Sequence, residues 1–126
     1  MTDKSKVLNK LLELKTQLKL YHWQTKQHSR HMAADKFLGK AEDIIDNIIE
    51  TYQGKYGTIQ LNKNSKNIKL DNISNGDITK YLETVRKYLV EDYPKILDKN
   101  VNTDLLNLRD ELLGSINTTL YLFRQS

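Results

Sequence analysis

An all-α fold is what this sequence predicts: a four-helix bundle with one long connection between its second and third helices. Three observations carry that reading. Four stretches space their apolar residues three and four apart, as a helix with one buried face requires. One proline and five scattered glycines are too few for a fold built on tight β-turns, and they make no glycine loop for a phosphate. The 126 residues, 38% hydrophobic and 29% charged, suit one globular domain spanning 1–126 and are too few for two.

The first helix is expected over about 5–25, with Ser5 as its N-cap and Val7, Leu11, Leu14, Leu18 and Tyr21 on its apolar stripe. The polar run from Thr25 to Arg30 reads as a turn. A second helix over about 31–53 carries Phe37, Leu38, Ala41, Ile44, Ile45, Ile48, Ile49 and Tyr52, and Gly54 stands where a C-cap belongs. Residues 54–76 then turn polar, rich in Gly, Asn, Lys and Ser. A bundle usually joins its helices with about two to eight residues, so a stretch this long is expected to cross from one end to the other. Within it Ile59, Leu61, Ile68, Leu70 and Ile73 can dock on the core. Asp77 is the expected cap of a third helix over about 77–93, which Pro94 ends or kinks. Asn102 or Thr103 opens a fourth over about 102–124, with Leu105, Leu106, Leu108, Leu112, Leu113, Ile116, Leu120 and Phe123 as its apolar positions.

Composition removes several function classes. The chain has no cysteine, hence no disulfide, thiolate metal site or cysteine nucleophile. No apolar run approaches the ~20 residues of a membrane span, and the first residues lack a signal-peptide core, so an intracellular setting without membrane contact is expected. The net charge of +4 permits attraction to polyanions without requiring it.

The chemistry concentrates on the second helix. His31 and Asp35 stand four residues apart, and so do Asp46 and Glu50. A helical step of about 100° places all four side chains within an arc of roughly 100°. A His–carboxylate pair at this spacing can chelate a divalent ion, and mixed imidazole and oxygen ligands suit iron or zinc. Asp35 and Asp46 are, however, separated by about 16 Å along the axis, too far for one ion to bridge within a single straight helix. A second copy of the helix, packed antiparallel about a two-fold axis near residues 40 and 41, would set Asp35 against Asp46 of the partner subunit and His31 against Glu50 of the partner subunit. Gly39 falls on this face near that axis. It costs about 1 kcal/mol in a helix interior relative to alanine, and its missing side chain would let two backbones approach. Taken alone, the same acids also fit a solvated helix face, His31 a helix start, His22 a partly buried hydrogen-bonded histidine, and Trp23 the core.

Taken together, Tyr21-His22-Trp23, His31-x-x-x-Asp35 and Asp46-x-x-x-Glu50 resemble the iron site of the Dps-like miniferritins, the DNA-protecting branch of the ferritin-like proteins. That family carries a His-Trp pair near the end of its first helix, followed by these two four-residue spacings in this order. Asn102-Thr103-Asp104-Leu105-Leu106 is similar to the start of its last helix. The chain would be a short, divergent member: the segment between His22 and His31 is shorter than usual, and Thr25-Lys26-Gln27-His28 replaces the family's Lys-Gly and Phe. The resemblance implies a ferritin-like bundle and an intersubunit dinuclear-type site that binds and oxidises Fe(II), with peroxide as oxidant, protecting against iron and peroxide damage. It makes His22, His31, Asp35, Asp46 and Glu50 both metal ligands and catalytic residues, Trp23 an electron or radical relay, and zinc a substitute for iron. It implies a homo-oligomer, at least a two-fold dimer, with a dodecamer as the family's full assembly.

The chain has no Glu-x-x-His, the motif of di-iron bundles whose site lies inside one subunit. Two other readings compete: a non-enzymatic bundle serving assembly or interaction, holding zinc or no metal, and DNA binding through Lys4, Lys6 and Lys10 or Lys63, Lys66 and Lys69.

Overall fold

The structure, a computed structural model, describes residues 3–125. It contains four α-helices, α1 (Lys4–Gln24), α2 (His28–Tyr56), α3 (Asn75–Glu91) and α4 (Thr103–Arg124), with a 3-10 turn over Tyr93–Ile96. No strand occurs among the described residues. The apolar stripes meet in one core: Leu11, Leu14 and Leu18 from α1, Phe37 and Ile48 from α2, Leu82, Val85 and Leu89 from α3, and Leu112, Ile116 and Phe123 from α4 are all buried. Ile44, expected in the core, is only partly buried, because Ile45 beside it takes the inward position. α2 packs chiefly against α4 and α1, and α3 packs on α4.

Helix ends depart from the expectations in instructive ways. Asp3, not Ser5, caps α1 by accepting from the Lys6 amide at 2.8 Å. Ser5 is buried instead, and its Oγ accepts from the Asn62 amide at 3.0 Å. The turn between α1 and α2 is only residues 25–27, because His28, Ser29 and Arg30 form the first turn of α2. At the other end α2 runs through Gly54 and stops after Tyr56, where Gly57 takes φ +88°, a backbone conformation that favours glycine. Gly54 is therefore not the C-cap. Ser74, rather than Asp77, caps α3 by accepting from the Asp77 amide at 3.2 Å, leaving Asp77 in the first turn, where its charge favours the helix dipole. Pro94 does end the third helix, and sits in the 3-10 turn that follows. Asn102 precedes α4 as expected, yet its side-chain oxygen serves the end of α2, accepting from Lys55 Nζ at 3.2 Å and Tyr56 OH at 2.8 Å.

The polar connection lies along α1, held by side chains that reach its backbone. Asn9 donates to the carbonyls of Ser65 and Asn67, both at 2.8 Å. Gln17 exchanges two bonds with the backbone of Asp71, at 2.8 and 2.9 Å. Near the end of α1, Gln24 donates to Asn72 at 2.9 Å, and Tyr21 and Thr25 both donate to Asn75 Oδ1. Ile59 is buried, whereas Leu70 stays exposed.

Candidate metal site

The short turn after α1 places the candidate residues. His22 stands two residues before the end of α1 and His31 is the fourth residue of α2, so three connecting residues fold the two onto the same level. Their rings stack with centroids 3.9 Å apart and planes 17° from parallel. Each ring is also bonded to the other's backbone: His22 Nδ1 donates to the His31 carbonyl at 2.9 Å, and His31 Nδ1 donates to the His22 carbonyl at 2.8 Å. A carbonyl only accepts, so Nδ1 of each ring carries a hydrogen, and in the neutral imidazole Nε2 is the atom left with the lone pair. Metal-binding histidines are characteristically held in this way, with the remote nitrogen donating to a carbonyl or carboxylate.

Asp35, one turn beyond His31, has Oδ1 3.9 Å from His22 Nε2. Two ligand atoms on one tetrahedral ion are about 3.4 Å apart, so a small rotation of the exposed Asp35 side chain brings the pair into range. His22 is 8% exposed, His31 intermediate and Asp35 exposed. The group thus runs from the core to the surface, with the His22 ring inward and the Asp35 carboxylate in water. His22 is the partly buried, hydrogen-bonded histidine that its residue type suggests.

Asp46 and Glu50 lie further along the same unbroken helix, exposed, with no hydrogen bond or ion pair among the described residues. Among the described residues no three His, Asp or Glu side chains converge closely enough to hold a metal. The five candidates therefore form two groups, His22–His31–Asp35 and Asp46–Glu50. Between them lies exposed Gly39, where an added Cβ would meet nothing within 4 Å.

Trp23 is not core: it is 68% exposed, with Lys19 Nζ 5.6 Å from its ring centroid. Its position at the end of α1, one step round from buried His22, turns it outward. His28, one of three histidines within ten residues but outside the candidate ligand set, has its ring 6.3 Å from that of His31 and 23° from parallel. The three-residue spacing of the two histidines carried that signal, but residues 25–30 read as turn. The loop sets the segment holding Lys63 and Lys66 against the first turns of α1 through Ser5 and Asn9, so the two lysine clusters lie on neighbouring segments.

Neither the curated proteins nor the solved structures contain a match to the chain. Residues 22–123, a range that opens on His22 and includes every candidate ligand, match the family of unknown function DUF5856. The chain belongs to that family.

Proposed function

We propose that this chain is a Dps-like, ferritin-related bundle that oxidises Fe(II) at a site shared between two copies. The observation that carries the reading is the separation of its candidate ligands: His22, His31 and Asp35 gather at one end of α2, while Asp46 and Glu50, on the same helix, have no partner among the described residues. The axial gap of about 16 Å between Asp35 and Asp46 is closed by a second copy about a two-fold axis, which brings each group opposite the other. Bare Gly39 lies where the two backbones would approach. The loop supports the ferritin-like part of the reading. Its bonds begin at Ser5 and Asn9 and end at Gln24 and Asn75, so it follows α1 from start to end, as the single long connection of a ferritin-like bundle does.

Iron is the substrate here. His22 and His31 offer Nε2 lone pairs whose direction is set by their Nδ1 bonds. Asp35 and Glu50 supply hard carboxylate oxygens, with Asp46 completing the set; oxygen donors favour Fe(III) over Fe(II) and so lower the barrier to losing an electron. Two Fe(II) ions give up one electron each, and one hydrogen peroxide takes both as its O–O bond breaks, picking up two protons from solvent and leaving as two water molecules. Trp23, next in sequence to His22 and exposed, is the residue that would pass an electron to the surface.

Fe(II) mixed with peroxide should raise near-ultraviolet absorbance faster with protein than in buffer, and Glu50→Gln should remove the difference. Glu50 is exposed and has no partner among the described residues, so this change removes a ligand charge without touching the core. A wild-type protein that never exceeds the buffer rate sinks the ferroxidase reading and leaves a bundle serving assembly or interaction, with zinc or no metal. Light scattering on the same sample gives the assembly size, from dimer to dodecamer.

A further inference from the structure

The iron reading makes no use of His28, although it stands in a column with the two histidines that reading does use. We infer that His28 and His31 form a second, exposed metal site, selective for borderline divalent ions such as Zn²⁺, and that an ion held there withdraws His31 from the iron site.

The geometry is that of a chelating pair. His28 and His31 are three residues apart on the first turn of α2, a spacing that puts two side chains on one face. Their rings are 6.3 Å apart by centroid and nearly parallel. Two imidazoles bound through nitrogen to one tetrahedral ion have centroids about 5 Å apart. His28 is exposed and its ring has no hydrogen-bond partner among the described residues, so a side-chain rotation closes the difference. His31 is held fixed by its Nδ1 bond to the His22 carbonyl at 2.8 Å, with Nε2 as its one remaining lone pair. Water fills the other positions, since no third His, Asp or Glu converges here among the described residues.

The donor set decides the ion. Two imidazoles without a thiolate suit Zn²⁺, Ni²⁺ or Cu²⁺, and the same nitrogen site binds Fe²⁺ more weakly. The positive end of α2 opposes a cation at this position, by about two- to fivefold in affinity, less than the contribution of one metal ligand. Unlike the iron site, this pair needs no second chain.

One lone pair cannot serve two ions. Zinc on His28 and His31 therefore competes with iron for His31, and this consequence alone rests on the proposed iron site.

Calorimetric titration of the full chain with Zn²⁺, without iron, tests the site directly. Wild-type protein should bind zinc; His28→Gln should weaken that binding by about tenfold or more, since even indirect partners of a metal ligand are worth that much; Glu83→Gln, on exposed α3 surface away from both sites, should leave it unchanged. A thermal melt of His28→Gln confirms its fold, and His28→Asn provides a second variant. Added zinc should slow iron oxidation in wild type and slow it less in His28→Gln. Zinc binding that persists in both His28 variants overturns the inference, as does binding lost equally in Glu50→Gln, which would place the ion in the shared site. Absence of zinc binding to wild type also overturns it. Calorimetry reads zinc alone, so failure here and failure of iron oxidation are separate results.

Discussion

Arg30 closes the end of the bundle on Phe123: its guanidinium lies 4.9 Å from the ring centroid and donates from Nη2 to the Phe123 carbonyl at 3.0 Å. The same side chain donates through Nη1 to the Asn75 carbonyl and, at 3.4 Å, to Tyr21 OH. One residue on α2 thus ties together the end of α1, the start of α3 and the end of α4. It does so on the first turn of α2, where Gln27 provides no side-chain cap, and it precedes His31.

Arg30→Ala should therefore destabilise the fold by about 2–4 kcal/mol, the sum of charged hydrogen bonds and a cation–π contact. Arg30→Lys keeps the charge but not the planar fork, and should recover less than half of that. Urea unfolding measures both. A loss near zero for Arg30→Ala would mean these bonds do not hold the helix ends.

The proposed sharing of an iron site between two chains predicts complementation. Asp35→Ala and Asp46→Ala made separately should each damage both sites of a homodimer. Co-expressed with random pairing, about half the dimers are mixed, and each mixed dimer has one doubly damaged site and one intact site. About a quarter of the sites should then recover, a figure fixed by two-fold symmetry. Iron oxidation by the mixture, after sizing shows that both variants dimerise, reads the fraction. Confirmed mixed dimers with no recovery would rule out the shared site.

Leu18 is fully buried in the shared core. Leu18→Ala should cost about 2–5 kcal/mol through lost burial and the cavity left behind. The urea midpoint should fall with the slope unchanged, and a near-zero shift would mean the core closes over the gap.

Alkaline pH should unfold the protein through its buried tyrosines. Burial, reinforced by the Glu13 carboxylate that Tyr81 OH donates to at 3.0 Å, pushes the Tyr81 phenol well above the usual tyrosine range. Burial likewise raises Tyr93, against the opposing charge of Arg109 and with Asp104 adding to it. A group that holds its proton more tightly when folded contributes fully below the unfolded value of about 10 and loses that contribution as pH rises past it. Stability should fall above pH ~10 by up to about 1.4 kcal/mol per pH unit for each such tyrosine. Tyr81→Phe should show a shallower fall than wild type in urea titrations between about pH 9 and 11. Parallel curves would remove Tyr81 as a cause.

The periodic spacing of Val7, Leu11, Leu14 and Leu18, and of its counterparts on the other helices, was enough to find all four helices and most of the core. Burial of one helical face is a property of local sequence, repeated every three to four residues. Fixed helical geometry likewise made the common face of the four α2 candidates and their axial separation legible. Helix ends were not, because Asp3 against Ser5, Ser74 against Asp77 and Gly57 against Gly54 are contests between similar caps, worth about 1 kcal/mol each and settled by what the rest of the fold needs. Ser5 went to the loop because Asn62 arrives there from 57 residues away. The mutual grip of His22 and His31 was equally hidden. It depends on backbone carbonyls, which every residue has, and on a three-residue turn that brings two helix ends to one level. Residue types set which groups can bind; the path of the chain set which of them meet.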